Sequence, residues 1–488
     1  REPPPAGAAR MHRVARLASR AGCAAACAAG GAAHSDADEI SSMLKVSITK
    51  IEHLSALGFE SRKVCNKTSF GYAKFISDKD CVLGDVVVKD NDQGRNCADP
   101  VQLQGFMRAG PREILHFDPS ETRVAIVTCG GLCPGLNSVV SNLVHILKGH
   151  YGVGKIFGVR GGYRGFTQVG WDPPIELTVQ SVDSIHHDGG TILGTSRGGF
   201  DADKIVEWLK AKRINQLYVI GGDGTLRGAF KLVEACQAKG LNIAIAGVPK
   251  TIDNDIGIID RSFGFMTAVS EATRAIAAAR TEAECNMPNG IGIVKLMGRS
   301  AGFLAAYATL ASQDVDLCLV PEVDIVLEGP GGVLPHLERV LGAKGHAVVV
   351  VAEGAGEELL GTSEKTDAGG NRELPQIGPW ISERIKDHFK AQGKEATVKY
   401  IDPSYMVRSV AADASDSYLC MLLAHAAAHG AMAGYTGFTV GLVNNRTVMI
   451  PIPELCSKSP RSLNVTGRTW ERVNSVTGQP HTAVHTSD

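Results

Sequence analysis

Gln216-Leu-Tyr-Val-Ile-Gly-Gly-Asp-Gly-Thr-Leu-Arg-Gly-Ala229 is the stretch that decides the fold. Residues 217–220 are an apolar run of strand length, and the glycines after them let the main chain turn sharply into a helix. Amide groups at the start of such a helix face an anion readily, so the stretch predicts a phosphate site. Asp223 lies among these glycines, and a carboxylate beside phosphates needs a divalent cation between them, which predicts a magnesium ligand. Two adjacent glycines alone would indicate only an ordinary turn.

Two other loops show the same pattern. Residues 124–128 are apolar and end in Cys129-Gly-Gly-Leu-Cys-Pro-Gly-Leu-Asn137, after which residues 138–147 are expected to be helical. Residues 243–248 predict a strand that leads into Pro249-Lys-Thr-Ile-Asp-Asn-Asp255. Because the carboxyl ends of parallel strands meet at one edge of a sheet, we expect these loops to converge on one crevice.

The loop that begins at Pro249 contains two acids. Asp253 and Asp255 are two residues apart, which on an extended segment places both carboxylates on one side. One carboxylate could then act as a base while the other holds a metal or orients its neighbours, although an Asx-type turn would explain the same spacing. Arg164 and Arg197 lie in two further glycine-rich turns, where an arginine can neutralise transferring charge.

The second half of the chain continues the alternation of strands and helices. Strands are predicted at 291–296, 317–320, 347–352 and 397–401, and helices at 333–341 and 381–391. The expected fold class is α/β, with two Rossmann-like layered domains, a mostly parallel sheet in each, and the active site in the cleft between them.

Composition excludes several classes of protein. The 488 residues are 44% hydrophobic, which suffices for two or more domains. Lys and Arg number 50 against 51 Asp and Glu, so the net charge of −1 predicts no nucleic-acid partner. The longest apolar runs fall far short of the roughly 20 residues that cross a bilayer, so no membrane partner is expected. The 12 cysteines lack paired metal-ligand spacing and are interpreted as reduced thiols.

Residues 1–43 differ from the rest of the chain. Residues 3–35 contain no acid and are rich in alanine, and arginine recurs among them at helical spacing. These arginines are Arg10, Arg13, Arg16 and Arg20. The pattern is typical of an organelle-targeting presequence, but an untargeted disordered leader fits it equally well. A cytoplasmic and a plastid location therefore both stay open, and Met11 and Met43 are both candidate start residues.

Five ordered motifs together resemble the phosphofructokinase family. They are Gly221-Gly-Asp-Gly-Thr225, Pro249-Lys-Thr-Ile-Asp-Asn-Asp255, Met297-Gly-Arg-Ser300, Pro321-Glu322 and Lys399-Tyr-Ile-Asp-Pro-Ser-Tyr-Met-Val-Arg408. The resemblance covers residues 105–475, and the joint occurrence of the five motifs is highly specific. Cys129-Gly-Gly-Leu-Cys-Pro-Gly135, the segment around Tyr405 and Ala431-Met-Ala-Gly-Tyr-Thr-Gly437 favour the plant and trypanosomatid ATP-dependent branch.

This resemblance implies phosphorylation of fructose 6-phosphate to fructose 1,6-bisphosphate, the committed step of glycolysis, with ATP as co-substrate and Mg²⁺ as cofactor. It implies that Asp253 takes the proton from the sugar 1-hydroxyl, that Thr251 positions the transferring phosphoryl group, and that Arg299 is a third catalytic residue. The nucleotide positions that it implies are Gly130, Arg197, Gly222, Asp223, Gly224 and Thr225. The predicted metal ligands are Asp223 and Asp255. The implied sugar-phosphate pocket comprises Thr251, Asp253, Met297, Gly298, Arg299, Glu322, Lys399, Tyr405 and Arg408.

The resemblance also implies an allosteric homotetramer. Lys399 falls where bacterial members supply a phosphate-binding arginine from a neighbouring subunit. Tyr405 replaces a histidine of the bacterial enzymes, and Gly290 falls near the position of another of their intersubunit arginines.

The predicted parts of the chain are a leader at 1–43, an N-terminal extension at 44–120, a nucleotide-binding domain at 121–265, a sugar-phosphate-binding domain at 266–450 with the chain crossing between domains, and a C-terminal extension at 451–488.

Three alternatives stay open. The nearest is the same transfer from pyrophosphate, because Lys250 resembles pyrophosphate-dependent members, whereas Gly224 stands where those members carry Asp. A lipid or nicotinamide-nucleotide kinase would share the first glycine motif but would lack the two arginine-bearing motifs farther along the chain. A catalytically silent regulatory subunit is disfavoured by the intact Asp253 and Asp255.

Overall fold

The computed structural model describes residues 44–67, 75–86, 101–167, 172–361 and 374–480. The predicted leader at 1–43 lies outside these residues. None of the helices in the described part of the chain has the length and hydropathy of a membrane-spanning segment.

The chain divides into two compact units. The first comprises residues 1–48 and 83–105, and the second comprises residues 49–82 and 106–488. In the first unit, the Gly84 amide donates a hydrogen bond of 2.7 Å to the Gln104 carbonyl. Every site residue predicted from the sequence belongs to the second unit.

The described residues form short and long strands and helices in alternation. The strands are β1 (Leu44–Thr49), β2 (Glu52–His53), β3 (Val64–Cys65), β4 (Cys81–Leu83), β5 (Val101–Arg108), β6 (Ile114–Leu115), β7 (Arg123–Thr128), β8 (Lys155–Val159), β9 (Ile175–Glu176), β10 (Gln216–Gly221), β11 (Ala244–Pro249), β12 (Gly290–Leu296), β13 (Leu317–Leu319), β14 (His346–Ala352), β15 (Thr397–Ile401), β16 (Tyr435–Thr436), β17 (Phe438–Val443) and β18 (Arg446–Pro451). The helices are α1 (Leu136–Val144), α2 (Arg164–Thr167), α3 (Ala202–Ala211), α4 (Asp223–Ala238), α5 (Phe265–Cys285), α6 (Phe303–Ser312), α7 (Val333–Lys344), α8 (Glu357–Leu360), α9 (Ile377–Ala391), α10 (Ala414–Ala433), α11 (Ile452–Ser457) and α12 (Arg468–Thr477).

A large sheet forms the centre of the second unit. Its strands follow the order β18-β17-β11-β10-β7-β8-β9, and β17, β11, β10, β7 and β8 are parallel to one another. Strands β18 and β9 pair antiparallel with their neighbours. Val124 and Ile126 of β7 pack into one core, and Ala125 and Val127 pack into the other, because successive side chains of a strand point to opposite faces. Helices therefore cover both faces, which explains why these strands are continuous apolar runs.

A smaller sheet is inserted between β11 and β17 of the large one. Its strands follow the order β13-β14-β12-β15 and are all parallel, with Ile291 of β12 opposite Ala347 of β14. Ile293 packs with α7 and α9 on one face, and Val294 packs with α5 and α6 on the other. After β15 and α10 the chain returns to the large sheet as β17.

The strands predicted from the sequence are confirmed within one or two residues of each end. The helix predicted at 138–147 begins earlier, as α1, and then widens into a π-helical segment, His145–Tyr151, which no local pattern indicates. The domain boundaries drawn from the sequence stay a prediction. The second predicted domain includes strand β17, which pairs with β11 in the large sheet.

Candidate active site

Three glycine-rich loops follow adjacent strands of the large sheet, as the sequence predicts. The Cys129 amide, directly after β7, donates to the carbonyl of Ile220 in β10 at 2.8 Å. The Lys250 amide, directly after β11, donates to the carbonyl of Gly221 at 3.0 Å. These bonds hold the loops together at the carboxyl edge of the sheet, where α/β proteins bind their ligands.

The larger cavity at this edge has a volume of about 550 Å³. Its lining includes all six predicted nucleotide positions: Gly130, Arg197, Gly222, Asp223, Gly224 and Thr225. A Cβ added to Gly224 would meet no atom within 4 Å, so a side chain at this position would have room within the protein itself. The position is therefore open toward a ligand rather than closed by packing.

A smaller cavity of about 240 Å³ adjoins the larger one. Both cavities are lined by Gly131, Arg197, Gly222, Asp223 and Lys250. The smaller cavity is also lined by Thr251, Asp253, Asp255, Met297 and Arg408. Met297 follows β12 of the small sheet, whereas Asp253 follows β11 of the large sheet, so residues of both sheets reach this cavity.

Asp253 has the electrostatic environment of a base that works near neutral pH. Its Oδ1 is buried and has no hydrogen-bond partner among the described residues, and its amide donates to Thr251 Oγ1 at 3.1 Å. Burial, together with the charges of Asp255 and Glu353, raises the pKa of Asp253 to about 7, while Lys250 and Arg299 act in the opposite direction. A carboxylate with such a pKa can accept and release a proton at physiological pH.

The raised pKa predicts that Asp253→Asn stabilises the ligand-free protein. Between the pKa of an unfolded Asp, about 3.9, and the folded value of about 7, the folded state binds more protons than the unfolded state. Stability therefore falls as pH rises through this window, and an uncharged Asn escapes the loss. We expect Asp253→Asn to raise the melting temperature by roughly 3 °C at pH 8, and the gain to vanish toward pH 4.

Differential scanning calorimetry at pH 4 and pH 8 measures this effect. Asp203→Asn is the matched control, because the Asp203 side chain is 81% exposed. An equal gain from Asp253→Asn at both pH values would contradict the prediction.

Lys250 is a buried cation shared by both cavities. Burial lowers the pKa of its ammonium group, and the neighbouring Cys133, Asp253 and Cys129 counteract this shift.

Burial also raises the pKa of the Cys129 thiol to about 12, so this thiol stays protonated. All cysteines in the described part of the chain are free, which agrees with the prediction of reduced thiols.

Asp223 and Asp255 fit the requirements of a magnesium ion that also binds phosphates. Arg227 Nε donates to Asp223 Oδ2 at 2.9 Å, while Asp223 Oδ1 is buried without a hydrogen-bond partner among the described residues. Burial raises the pKa of Asp255, and the charge of Asp223 adds to the rise, so a cation near both would relieve their repulsion. No group of three or more candidate ligands occurs in the described residues. Mg²⁺ commonly uses one or two carboxylates together with water and substrate phosphates.

Two predicted sugar-phosphate residues carry positive charge near Asp253. Arg408 lines the smaller cavity, and its Nε is buried without a hydrogen-bond partner in the described part of the chain. The Arg408 guanidinium lies 5.0 Å from the centre of the Tyr405 ring. Arg299 lies near enough to Asp253 to lower its pKa. Both arginines are therefore placed to attract an anionic part of a substrate.

Five predicted sugar-phosphate residues, Arg299 and four others, line neither cavity. Glu322 accepts hydrogen bonds from the amides of Gly302 and Leu463, at 3.0 and 2.7 Å from its Oε1. The Gly298 carbonyl accepts the amide of Gly354. Lys399 lies on β15, and Tyr405 is 73% exposed. Their predicted roles in substrate binding stay predictions.

The sequence patterns missed several cavity residues. Arg227 and Lys231 line the larger cavity one and two helical turns after Asp223, and the spacing of four residues could have revealed them. Ser459 and Pro460 line the smaller cavity from a segment far along the chain, where no local signal marks them.

Comparisons with known proteins agree with this geometry. A family model described as Phosphofructokinase matches residues 123–431. ATP-dependent 6-phosphofructokinase 7 of Arabidopsis thaliana is 50% identical over 410 residues, which cover 83% of this chain and 82% of that protein. ATP-dependent 6-phosphofructokinase of Trypanosoma cruzi is 42% identical over 372 residues, 76% of either chain.

Solved structures show the same fold at lower identity. The pyrophosphate-dependent phosphofructokinase of Marinobacter aquaeolei matches with a TM-score of 0.61 and 20% identity, over 75% of this chain and 94% of that chain. At this identity the likeness extends to the fold alone. Because one family model spans well over half of the sequence and the relatives match most of it, the chain belongs to the phosphofructokinase family.

Proposed function

We propose that this protein transfers the terminal phosphoryl group of ATP to the 1-hydroxyl of fructose 6-phosphate. The observation that carries the proposal is the position of Asp253 in the smaller cavity, next to the nucleotide loops and Arg408. The larger cavity accommodates the nucleotide, and the smaller cavity accommodates the reacting end of the sugar phosphate. The catalysed step is then a direct transfer between two adjoining sites.

Asp253 acts as the general base in this step. Its unpartnered Oδ1 accepts the hydroxyl proton as the sugar oxygen attacks the phosphoryl group, and its pKa of about 7 leaves much of it ionised at neutral pH. Thr251 Oγ1 accepts the Asp253 amide, which fixes the main chain beside the transferring group. No covalent enzyme intermediate is needed, because phosphoryl transfer depends mostly on positioning and charge neutralisation.

Lys250 and Arg197 supply fixed positive charge where the two cavities meet. Fixed charges of this kind stabilise the negative charge that develops on the transferring oxygens. Asp223 and Asp255 would hold Mg²⁺. When bound, this ion neutralises phosphate charge and helps to orient the nucleotide.

The donor is ATP rather than pyrophosphate. Gly224 leaves the larger cavity open beside the loop, as a nucleotide requires, and relatives with 42–50% identity carry ATP dependence in their names. Lys250 is the observation that favours pyrophosphate, since its buried ammonium could hold the terminal phosphates of either donor. Gly224 has more weight because it decides whether the nucleotide fits.

A homo-oligomer, most simply a tetramer, completes the sugar-phosphate site. Lys399 and Tyr405 do not line either cavity of their own chain, and the side chain of Tyr405 is exposed enough to contact another subunit. Sedimentation analysis of active protein tests this arrangement, and a fully active monomer would contradict it. The compartment stays a choice between cytoplasm and plastid.

One assay tests the proposed activity. Purified protein is incubated with fructose 6-phosphate, Mg²⁺ and either ATP or pyrophosphate, and fructose 1,6-bisphosphate is measured. Product with ATP supports the proposal. Activity with pyrophosphate alone would identify the other donor, and absence of product with both would overturn the proposal.

The sugar-phosphate pocket gives a further prediction. Arg299→Ala or Arg408→Ala should raise KM for fructose 6-phosphate at least about tenfold and leave KM for ATP within about twofold, because a guanidinium recognises phosphate through both charge and geometry. Steady-state kinetics with each substrate varied in turn measures the effect. Arg274→Ala is the control, since that side chain is 78% exposed and pairs with Glu271. A rise in KM for ATP alone would show that the two halves of the site are reversed.

A further inference from the structure

Residues 459–463, which we call the C-terminal segment, contact the loop that carries Asp253. The segment lies outside the residues matched by the family model. Ser459 Oγ accepts the Gly257 amide at 2.9 Å, and the Leu463 amide donates to Glu322 Oε1 at 2.7 Å. A Cβ on Gly257 would lie 2.1 Å from the Lys458 carbonyl oxygen, so only glycine permits this close approach. The segment is thus tied to the loop at one end and to Glu322 at the other.

Arg461 makes the densest set of contacts in the segment. Its donors reach four carbonyl oxygens: the main-chain amide reaches Asp255 at 2.6 Å, Nε reaches Asn254 at 3.0 Å, Nη1 reaches Ile259 at 3.1 Å and Nη2 reaches Asp260 at 3.4 Å. Two of these carbonyls belong to the residues that closely follow Asp253. One arginine therefore fixes both ends of residues 254–260.

The loop needs such support because its backbone is strained. Asn254 has φ 54° and Ile258 has φ 70°. Asn tolerates the left-handed region, but a β-branched residue such as Ile rarely adopts it. Strained residues persist only where the surrounding contacts fix their conformation, and Arg461 binds the two carbonyls directly after Ile258.

The guanidinium of Arg461 is itself held in place. It lies 5.0 Å from the centre of the Phe303 ring, at the start of α6. The planar fork can donate to several carbonyls at once, whereas a lysine ammonium is a point charge on a flexible stem. The arrangement therefore requires arginine and not merely a cation.

We propose that Arg461 is a positioning residue, which holds the backbone around Asp253 so that its carboxylate stays aimed at the substrate hydroxyl. The proposal rests on the proposed phosphotransferase function. Arg461 lines neither of the two cavities, so its loss should lower turnover without weakening substrate binding. General-base catalysis tolerates little misplacement of the base, and a shift of about 1 Å can cost up to about 100-fold in rate.

The test compares Arg461→Lys with Arg112→Lys. Arg112 is a matched control, because its guanidinium also makes three hydrogen bonds, to Asp78 and to the carbonyls of Gly110 and Arg108, and it does not line the cavity of Asp253. We expect Arg461→Lys to lower kcat at least about tenfold while both KM values stay within about threefold. We expect Arg112→Lys to keep the wild-type kcat per folded molecule. Wild-type kcat in Arg461→Lys, or a rise in KM alone, would overturn the proposal.

A second measurement does not depend on activity. Amide hydrogen exchange of residues 251–262, without substrates, should be faster in Arg461→Lys than in the wild type and unchanged in Arg112→Lys. An inactive wild type would show that the proposed function has failed, and the exchange rates would still decide whether Arg461 holds the loop. Unchanged exchange would overturn the positioning role.

A milder variant covers the case in which Arg461→Lys does not fold. Ser459→Ala removes one hydrogen bond to the same loop, at Gly257. Because Ser459 also lines the smaller cavity, its variant is judged by exchange and not by kinetics: amide exchange around Gly257 should be faster than in the wild type. Unchanged exchange around Gly257 would count against the proposal.

Discussion

Asp253→Ser should lower kcat by at least ~10²-fold, the usual scale for loss of a general base, while the affinity for fructose 6-phosphate changes much less. The serine hydroxyl cannot accept the sugar proton at neutral pH. Other groups, chiefly Lys250, Arg197 and Arg408, neutralise the negative charge of the substrates. The substitution leaves these groups in place. Steady-state kinetics at saturating ATP and Mg²⁺ measures the effect.

Asp203→Ser serves as the control for a lost carboxylate. Asp203 pairs with Lys239 on the surface, and neither residue lines the two cavities. It should retain wild-type turnover. Near-normal turnover in Asp253→Ser would remove Asp253 from the mechanism, and the assignment of the base would have to move to another group in the cavity.

Gly224→Asp should reduce the ATP-dependent kcat/KM by about two orders of magnitude, equivalent to ~3 kcal/mol. Gly224 lines the larger cavity in the first turn of α4, and a Cβ there meets no protein atom within 4 Å. The substitution should therefore leave the fold intact. A new carboxylate would occupy the space proposed for the nucleotide and repel its α-phosphate.

Two control variants separate charge from volume and from helix effects. Gly224→Ala adds a methyl group without charge and should cost much less. Gly342→Asp adds the same carboxylate at a position of α7 where a Cβ also meets nothing within 4 Å, and it should leave activity unchanged. Robust wild-type activity with pyrophosphate and none with ATP would overturn the donor assignment. Lys250, and not Gly224, would then be the residue that indicates the donor.

The strands and the main loops could be predicted because their signals are local. Parallel strands covered on both faces are continuous apolar runs, and β10 and β11 are buried along their whole length. The glycines and acids that follow such strands must lie at one edge of the sheet. For this reason the sequence alone predicts that Asp223 and Asp253 lie close together.

The remaining features depend on contacts that no local pattern encodes. Arg461 lies about 200 residues from the carbonyls it binds. Glu322 is predicted to bind the sugar, but no pattern around it indicates that its carboxylate also receives the Leu463 amide. Lys399 could be matched to a family position, but one chain alone does not bring it to the cavities. Long-range packing decides the contacts of Arg461 and Glu322, and the proposed oligomer would complete the surroundings of Lys399.

The insertion of the small sheet has a consequence for protein synthesis. In the large sheet, β11 is flanked on one side by β17, and Ala246 pairs with Phe438, about 190 residues later. At about 5–20 residues per second, a growing chain would wait on the order of 10–40 seconds for this partner. Until then one edge of β11 lacks its native neighbour, and exposed edges readily recruit strands from other chains. The length of the inserted sheet and its helices therefore sets the time during which the nascent chain leaves this edge without its native partner.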